Sequence, residues 1–423
     1  MAAPKPDRFD QAAVAPTPHA GHGRGEATAW PAIAAAMLCG VAVSMNIGKL
    51  PIALPAMRAD LGLSLVAAGW LAAMFNTIAM AGGVFAGILA DRSGALRFCV
   101  GAMIASGAGA LVAIAVPGEG ALLASRAIEG VGFIAVAVAA PALVSAAATS
   151  SQRRLALAIW SCYMPSGIAL GMLLAPPLLA VAGWRALWTV AFCFTVAAMA
   201  LLVAQRRRYD GAPASGGATF ADVGAALRKP AAWLLAVTLA CFAVQLFAIV
   251  TWLPTFLREQ RGVDATTAAA LTAFAIAIGM PGNLVGGKLV QRGGHRGRIV
   301  AASMLGCVLC SVGILSAALP DGLRYALCLA LSLVGGIVPA AVISSSAVLA
   351  DKPQQVSTLQ GLYMQASNVG QFAGALAVAW AVSAAGGAWS AALWVTVPAG
   401  LVGAGAALAL ARRQLHSHRP TGA

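Results

Sequence analysis

The chain has 423 residues, 60% of them hydrophobic and 9% charged. A soluble domain carries about 25% charged residues, so this composition excludes an ordinary water-soluble fold. The net charge of +14 raises nucleic-acid binding, but the basic residues form short clusters between apolar runs with no aromatic-studded basic face. That is the pattern of the positive-inside rule, and it argues against a nucleic-acid partner.

Residues 1–29 are rich in Ala and Pro and mix Lys5, Arg8 and Arg24 with Asp7, Asp10 and Glu26. This stretch is too long and too mixed in charge for a signal-peptide n-region and reads as a disordered cytoplasmic tail. Apolar runs then predict twelve membrane helices at 30–54, 66–90, 98–116, 122–146, 156–181, 186–204, 231–257, 268–290, 299–319, 325–350, 359–384 and 388–411. Each is long enough for a hydrocarbon layer of ~30 Å. Only helices satisfy their own backbone hydrogen bonds there. Residues 412–423 form a second cytoplasmic tail. Pro51, Pro141, Pro165, Pro281 and Pro339 are expected kinks.

Twenty of the 27 Lys and Arg fall in the tails and the loops after even-numbered helices, and five fall on the other side. Lys49 and Arg126 lie within spans. This bias places both termini in the cytoplasm and the chain as a multi-pass protein in the lipid bilayer. The polar stretch 205–230 opens with Arg206, Arg207 and Arg208 and divides the spans six and six, so it reads as a cytoplasmic linker between a bundle at 30–204 and one at 231–411. Shifting the chain by 200 positions aligns Arg58 and Gly62 with Arg258 and Gly262, Met80 and Gly82 with Met280 and Gly282, and Tyr163-Met164 with Tyr363-Met364. The expected fold is therefore an all-α membrane protein of twelve helices in two parallel six-helix repeats, with a site near the midplane between halves that rock about it.

At the end of the second span stands Gly87-Ile-Leu-Ala-Asp91-Arg92-Ser-Gly94-Ala-Leu-Arg97, with a weaker copy around Gly287, Arg292 and Gly294 in which Gln291 replaces the acid. Arg126-Ala-Ile-Glu129-Gly130-Val-Gly132 follows on the fourth span, and Gly183-Trp184-Arg185 after the fifth. In this order the motifs resemble those of the major facilitator superfamily, whose loop pattern is G-x-L-A-D-R-x-G-R-[RK]. The resemblance implies a secondary transporter in a bacterial inner membrane. It also implies a conformational latch built from Gly87, Asp91, Arg92, Gly94, Arg97 and Arg292. Gly171-Met-Leu-Leu-Ala175-Pro176 is similar to a degraded antiporter motif of export members, which favours export; the alternative is a proton symporter importing a small anion such as a carboxylate or a cyanate-like ion.

A charge at a helix centre costs about 2.5–3.5 kcal/mol, so charges within spans mark function. There are three: Lys49 on the first span, and Arg126 and Glu129 on the fourth. Arg126 and Glu129 stand at i, i+3, where they can pair. The family arrangement brings spans 1, 4, 7 and 10 around a cavity, which places Lys49 nearby. Glu129 is the expected proton carrier and Arg126 its partner; the alternative is a static Arg126–Glu129 pair with Lys49 snorkelling to the interface. The excess positive charge suits an anionic or chelating solute of the siderophore type. Asn46, Asn76, Tyr163, Gln245, Tyr363, Gln365 and Asn368 are further polar candidates for the solute path. The expected partners are lipid, protons and a small-molecule substrate, and the chain is expected to be a monomer.

No G-x-x-x-x-G-K-[ST] loop occurs, so the energy source is expected to be an ion gradient. No cofactor or metal is expected. All eight cysteines lie in apolar runs, where a free thiol acts as a small hydrophobe, and the Cys307/Cys310 pair has no second ligand pair. A membrane enzyme would need clustered acids or His at membrane depth, and the spans offer Glu129 alone.

Overall fold

The computed structural model describes residues 27–63, 65–116, 118–209, 220–291, 296–352 and 354–417. Residues 1–26 and 418–423, which hold most of the expected N-terminal tail and half of the expected C-terminal one, lie outside them. Among the described residues every element is helical. The first half comprises α1 (Trp30–Leu61), α2 (Leu65–Ser93), α3 (Ala95–Ala115), α4 (Glu119–Ala147), α5 (Arg153–Trp160) and α6 (Tyr163–Ala204). A 3₁₀ turn, Arg206–Tyr209, and the short α7 (Phe220–Leu227) occupy the expected linker. The second half comprises α8 (Pro230–Val250), α9 (Leu253–Arg261), α10 (Ala265–Ala277), α11 (Gly279–Gln291), α12 (Arg296–Leu315), α13 (Asp321–Gly335), α14 (Ile337–Leu349), α15 (Gln354–Ala384), the 3₁₀ turn Trp389–Ala392, and α16 (Leu393–Ser417).

Nine stretches among the described residues are long and apolar enough to cross a membrane. One of them, α6, has 42 residues, ~63 Å if straight and about twice a hydrocarbon layer. Gly183 turns it back on itself with φ 72° and ψ −177°, so α6 supplies two crossings. With α2 at 29 residues and α15 at 31, the order is that of twelve crossings.

Four spans are split where the sequence predicts one helix: α5/α6, α8/α9, α10/α11 and α13/α14. In each the break sits two to four residues before a proline, namely Pro165, Pro254, Pro281 and Pro339. A prolyl nitrogen cannot donate to the carbonyl four residues back, and its ring crowds that carbonyl. Pro51 and Pro141, by contrast, stay inside the unbroken α1 and α4.

The repeat is visible in the helix ends. Gly62 and Gly262, 200 positions apart, both adopt the left-handed conformation, at φ 64° and φ 62°, and close α1 and α9 with backbone N–H bonds to the carbonyls of Arg58 and Arg258. Residues without a Cβ reach this conformation without strain. Gly386 and Gly387, at φ 66° and 91°, turn the chain after α15 as Gly183 does within α6.

Within the first half α1 packs on α6, and α4 on α2 and α3. The second half repeats this with α8 on α15, and the α13–α14 span on α11 and α12. The halves meet along two seams, α2 with α15 and α6 with α10. At the first seam Gly83 backs onto Gly361 and Gln365. At the second, Ile168, Ala169 and Met172 share an apolar cluster with Ala273. Outward-facing apolar side chains such as Phe85, Leu309, Trp380 and Trp394 remain exposed, as a lipid-covered surface requires.

Candidate functional site

Glu129 is the centre of a buried polar cluster. It sits on α4 with its stem against Gly109 of α3, where a Cβ would lie 2.9 Å from Glu129 Cγ. Its carboxylate accepts a hydrogen bond from Lys49 Nζ at 2.7 Å and another from Arg126 Nη1. Lys49 and Glu129 are 0% exposed and Arg126 3%. Lys49 therefore points into the bundle, and the snorkelling alternative does not occur.

The two cations are held from several sides. Lys49 Nζ donates to Asn46 Oδ1 at 2.6 Å, and Asn46 Nδ2 donates to Ser106 Oγ at 3.2 Å. Arg126 donates to the backbone carbonyls of Asn46 at 3.0 Å and Leu71 at 3.3 Å. Two aromatic faces complete the enclosure: the Trp188 ring, 4.2 Å from Lys49 Nζ, and the Phe75 ring, 4.6 Å from Arg126 Cζ. A desolvated cation over an aromatic face gains about 2 kcal/mol. With Glu129 ionised, the cluster carries two positive charges and one negative.

Among the described residues all hydrogen-bond, ion-pair and ring partners of Lys49, Arg126 and Glu129 belong to α1, α2, α4 and α6. The charges are thus enclosed by the first half alone, without the partners from spans 7 and 10 that a shared cavity implies. Ser106, Phe75 and Trp188 were not predicted. Ser106 hides in a small-residue run, and Trp188 stands four residues after the Trp184 of the Gly-Trp-Arg motif.

Trp184 and Trp188 meet edge to face at 5.6 Å between centroids. Trp184 Nε1 donates to Asp60 Oδ2 at 2.8 Å, and Arg185 donates to the same oxygen at 2.9 Å. An unbroken line of contacts thus runs from the exposed Asp60–Arg185 pair through Trp184 and Trp188 to Lys49 and Glu129.

The remaining polar candidates separate into two groups. Gln365 faces Gly83 across the α2–α15 seam. Asn76 lies two turns from Gly83 on the same face of α2, and Asn368 follows Gln365 by three residues, so both share that seam. Asn76 Oδ1 and Asn368 Oδ1 have no hydrogen-bond partner among the described residues. Tyr163, Gln245 and Tyr363 instead sit inside their own halves. Tyr163 stacks on Trp160 at 4.3 Å. Gln245 is buried against Gly400 of α16, and its amide atoms have no hydrogen-bond partner among the described residues. Tyr363 is a core residue of the second half.

The expected latch turn is mostly helix. Backbone through Gly87, Asp91 and Arg92 continues α2 to Ser93, and Gly94, at φ 82°, is the single non-helical residue before α3. Arg92 and Arg97 are exposed. Arg292 lies outside the described residues. Among the described residues no group of His, Cys, Asp and Glu could hold a metal.

Two repeated bundles, membrane-length helices and a buried ionic cluster beside a polar seam define a membrane transporter. The sequence pattern described as Major Facilitator Superfamily matches residues 36–375, and the chain belongs to that family. It is 32% identical over 153 residues to the puromycin resistance protein pur8 of Streptomyces alboniger, covering 36% of this chain and 30% of that protein. It is 37% identical over 60 residues to the probable sulfoacetate transporter SauU of Cupriavidus necator, 14% of each chain. The matches thus span less than a third of either relative. In three dimensions it is similar to a bacterial homolog of the human lysosomal transporter Spinster, solved inward-facing and unoccupied. The TM-score is 0.73 at 14% identity, over 95% of this chain and 100% of that one.

Proposed function

We propose that this chain is a proton-coupled secondary transporter that exports a small polar or anionic metabolite across a bacterial inner membrane, with both termini in the cytoplasm and Glu129 as the proton carrier. The observation that carries the reading is the one buried carboxylate among the described residues, held by two cations. Buried charges are retained at such cost where they serve a pathway. Protonating Glu129 removes the negative member of the cluster, so Lys49 and Arg126 must find another partner or move. That requirement links proton entry to movement of α1 against α4, the helices that carry them. The distribution of Lys and Arg supports the orientation. A siderophore-type chelator fits the positive excess.

Import of a small anion is the second reading, favoured by the similarity to a probable sulfoacetate transporter. Reconstituted vesicles with an imposed pH gradient separate the two. Labelled sulfoacetate and puromycin serve as first probes, with flux followed in both directions. Gradient-driven flux is expected to vanish in Glu129→Gln while exchange of substrate at equal concentrations persists. Gradient-driven flux equal to the parent's would remove Glu129 from the mechanism.

A further inference from the structure

On the face that carries the ends of the described chain, a groove of about 490 Å³ opens between the α7–α8 corner and the end of α16. Arg228 and Arg413 stand at its lip, and Leu227, Pro230, Trp233, Leu234 and Val237 line it. We infer that this groove binds an anionic phospholipid, its phosphate between Arg228 and Arg413 and an acyl chain along Trp233 and Val237.

Charge complementarity selects the occupant. The neighbouring lysines are neutralised: Lys229 pairs with Asp351 at 2.6 Å and Lys352 with Asp222 at 2.8 Å. Arg228 and Arg413, by contrast, have no ion-pair partner among the described residues, and no acid lines the groove. The sequence from Lys352 to Ala423 contains no Asp or Glu. The planar guanidinium of an Arg presents a fork of N–H donors that matches the oxygens of a phosphate diester.

The apolar part has the right direction as well. Pro230, Trp233, Leu234 and Val237 follow helical spacing down one side of α8, over ~10 Å. Trp233 and Val237 are half-exposed there. The indole N–H of Trp233 donates to the Leu227 carbonyl at 2.7 Å, which fixes the ring under the charged lip. Trp is favoured at this depth, where a polar edge meets acyl chains. Basic pockets between helices at a membrane surface bind lipid headgroups.

The test uses the full chain in phosphatidylcholine vesicles containing brominated phosphatidylglycerol or, at the same mole fraction, brominated phosphatidylcholine. Quenching of Trp233 is obtained as the difference between the parent and Trp233→Phe. The anionic lipid is expected to quench that component at lower mole fraction. Arg228→Gln and Arg413→Gln should each weaken this preference roughly fivefold, the equivalent of ~1 kcal/mol per basic residue near an anionic surface. Arg412→Gln changes a charge beside the groove and should leave the preference intact. Equal quenching by the two lipids, or a loss in Arg412→Gln as large as in Arg413→Gln, overturns the inference. Arg413 is exposed near the end of α16, so Arg413→Gln carries the test if Arg228→Gln does not fold.

Discussion

Lys49 and Glu129 form a charge pair with no access to solvent, and such a pair behaves differently from a surface one. Removing Glu129 leaves Lys49 and Arg126 both uncompensated in low dielectric, at about 3–5 kcal/mol, whereas removing Lys49 leaves the Arg126–Glu129 pair in place. Removing Lys49 together with Glu129 takes away one of the two stranded cations. Glu129→Gln should therefore lower the unfolding midpoint in detergent sharply and Lys49→Met less, and the double variant should recover part of the Glu129→Gln loss. Additivity of the two effects within ~0.5 kcal/mol would mean that the pair does not exist. Trp188 gives an independent measurement. It is fully buried, and its face lies against Lys49 Nζ. Trp188→Phe keeps an aromatic face and should hold most of the stability. Trp188→Ala should lose about 3–5 kcal/mol from packing alone, before the lost cation contact is counted.

At the scale of the helices, the same cluster depends on how closely α1 and α6 approach. A methyl group at Gly48 would run into the Ile168 carbonyl, and one at Gly171 would lie 2.9 Å from the Lys49 backbone nitrogen. Small residues allow such contact between membrane helices. Gly48→Ala should force the helices apart and reduce both thermal stability and transport. Gly82 has open space at its Cβ position, so Gly82→Ala should be neutral or stabilising by up to ~1 kcal/mol, the usual helix preference. Equal effects at the two positions would show that the α1–α6 contact is not tight.

Much of this arrangement was legible in the sequence because membrane burial writes itself in long apolar runs, and because a charge inside one is conspicuous. Lys49, Arg126 and Glu129 stood out for that reason. Span ends were less legible. α1 continues to Leu61, past the predicted 54, because Arg58 and Asp60 extend the helix beyond the apolar run. The breaks before Pro165, Pro281 and Pro339 follow from the missing N–H, whereas Pro51 and Pro141 obey the same chemistry without a break. Which bundle encloses a polar residue depends on helix rotation. Composition does not encode that, so Gln245 and Tyr363 read like Gln365 and Asn368 although they face their own half.

For the whole molecule, the consequential feature is that the charges belong to one half while the halves touch along two narrow seams. A solute moving between the halves requires those seams to part on one side at a time. Ser166 Oγ of α6 approaches Met280 Sδ of α11 at 3.7 Å, a contact between residues of opposite halves. Replacing both by cysteine, in a background in which the eight native cysteines are changed to Ala or Ser, places two thiols across the boundary. A short thiol-reactive cross-linker should then join them and stop substrate flux, and a cleavable linker should restore flux on reduction. Each single-cysteine variant given the same reagent should keep transporting, which separates locking from modification. Binding of protons at Glu129 does not itself require the seam to open, since its partners all come from the first half. The locked protein should therefore still take up a proton at the cluster while carrying no solute. Flux at the parent's rate through the cross-linked protein would mean that the halves do not rock about this boundary.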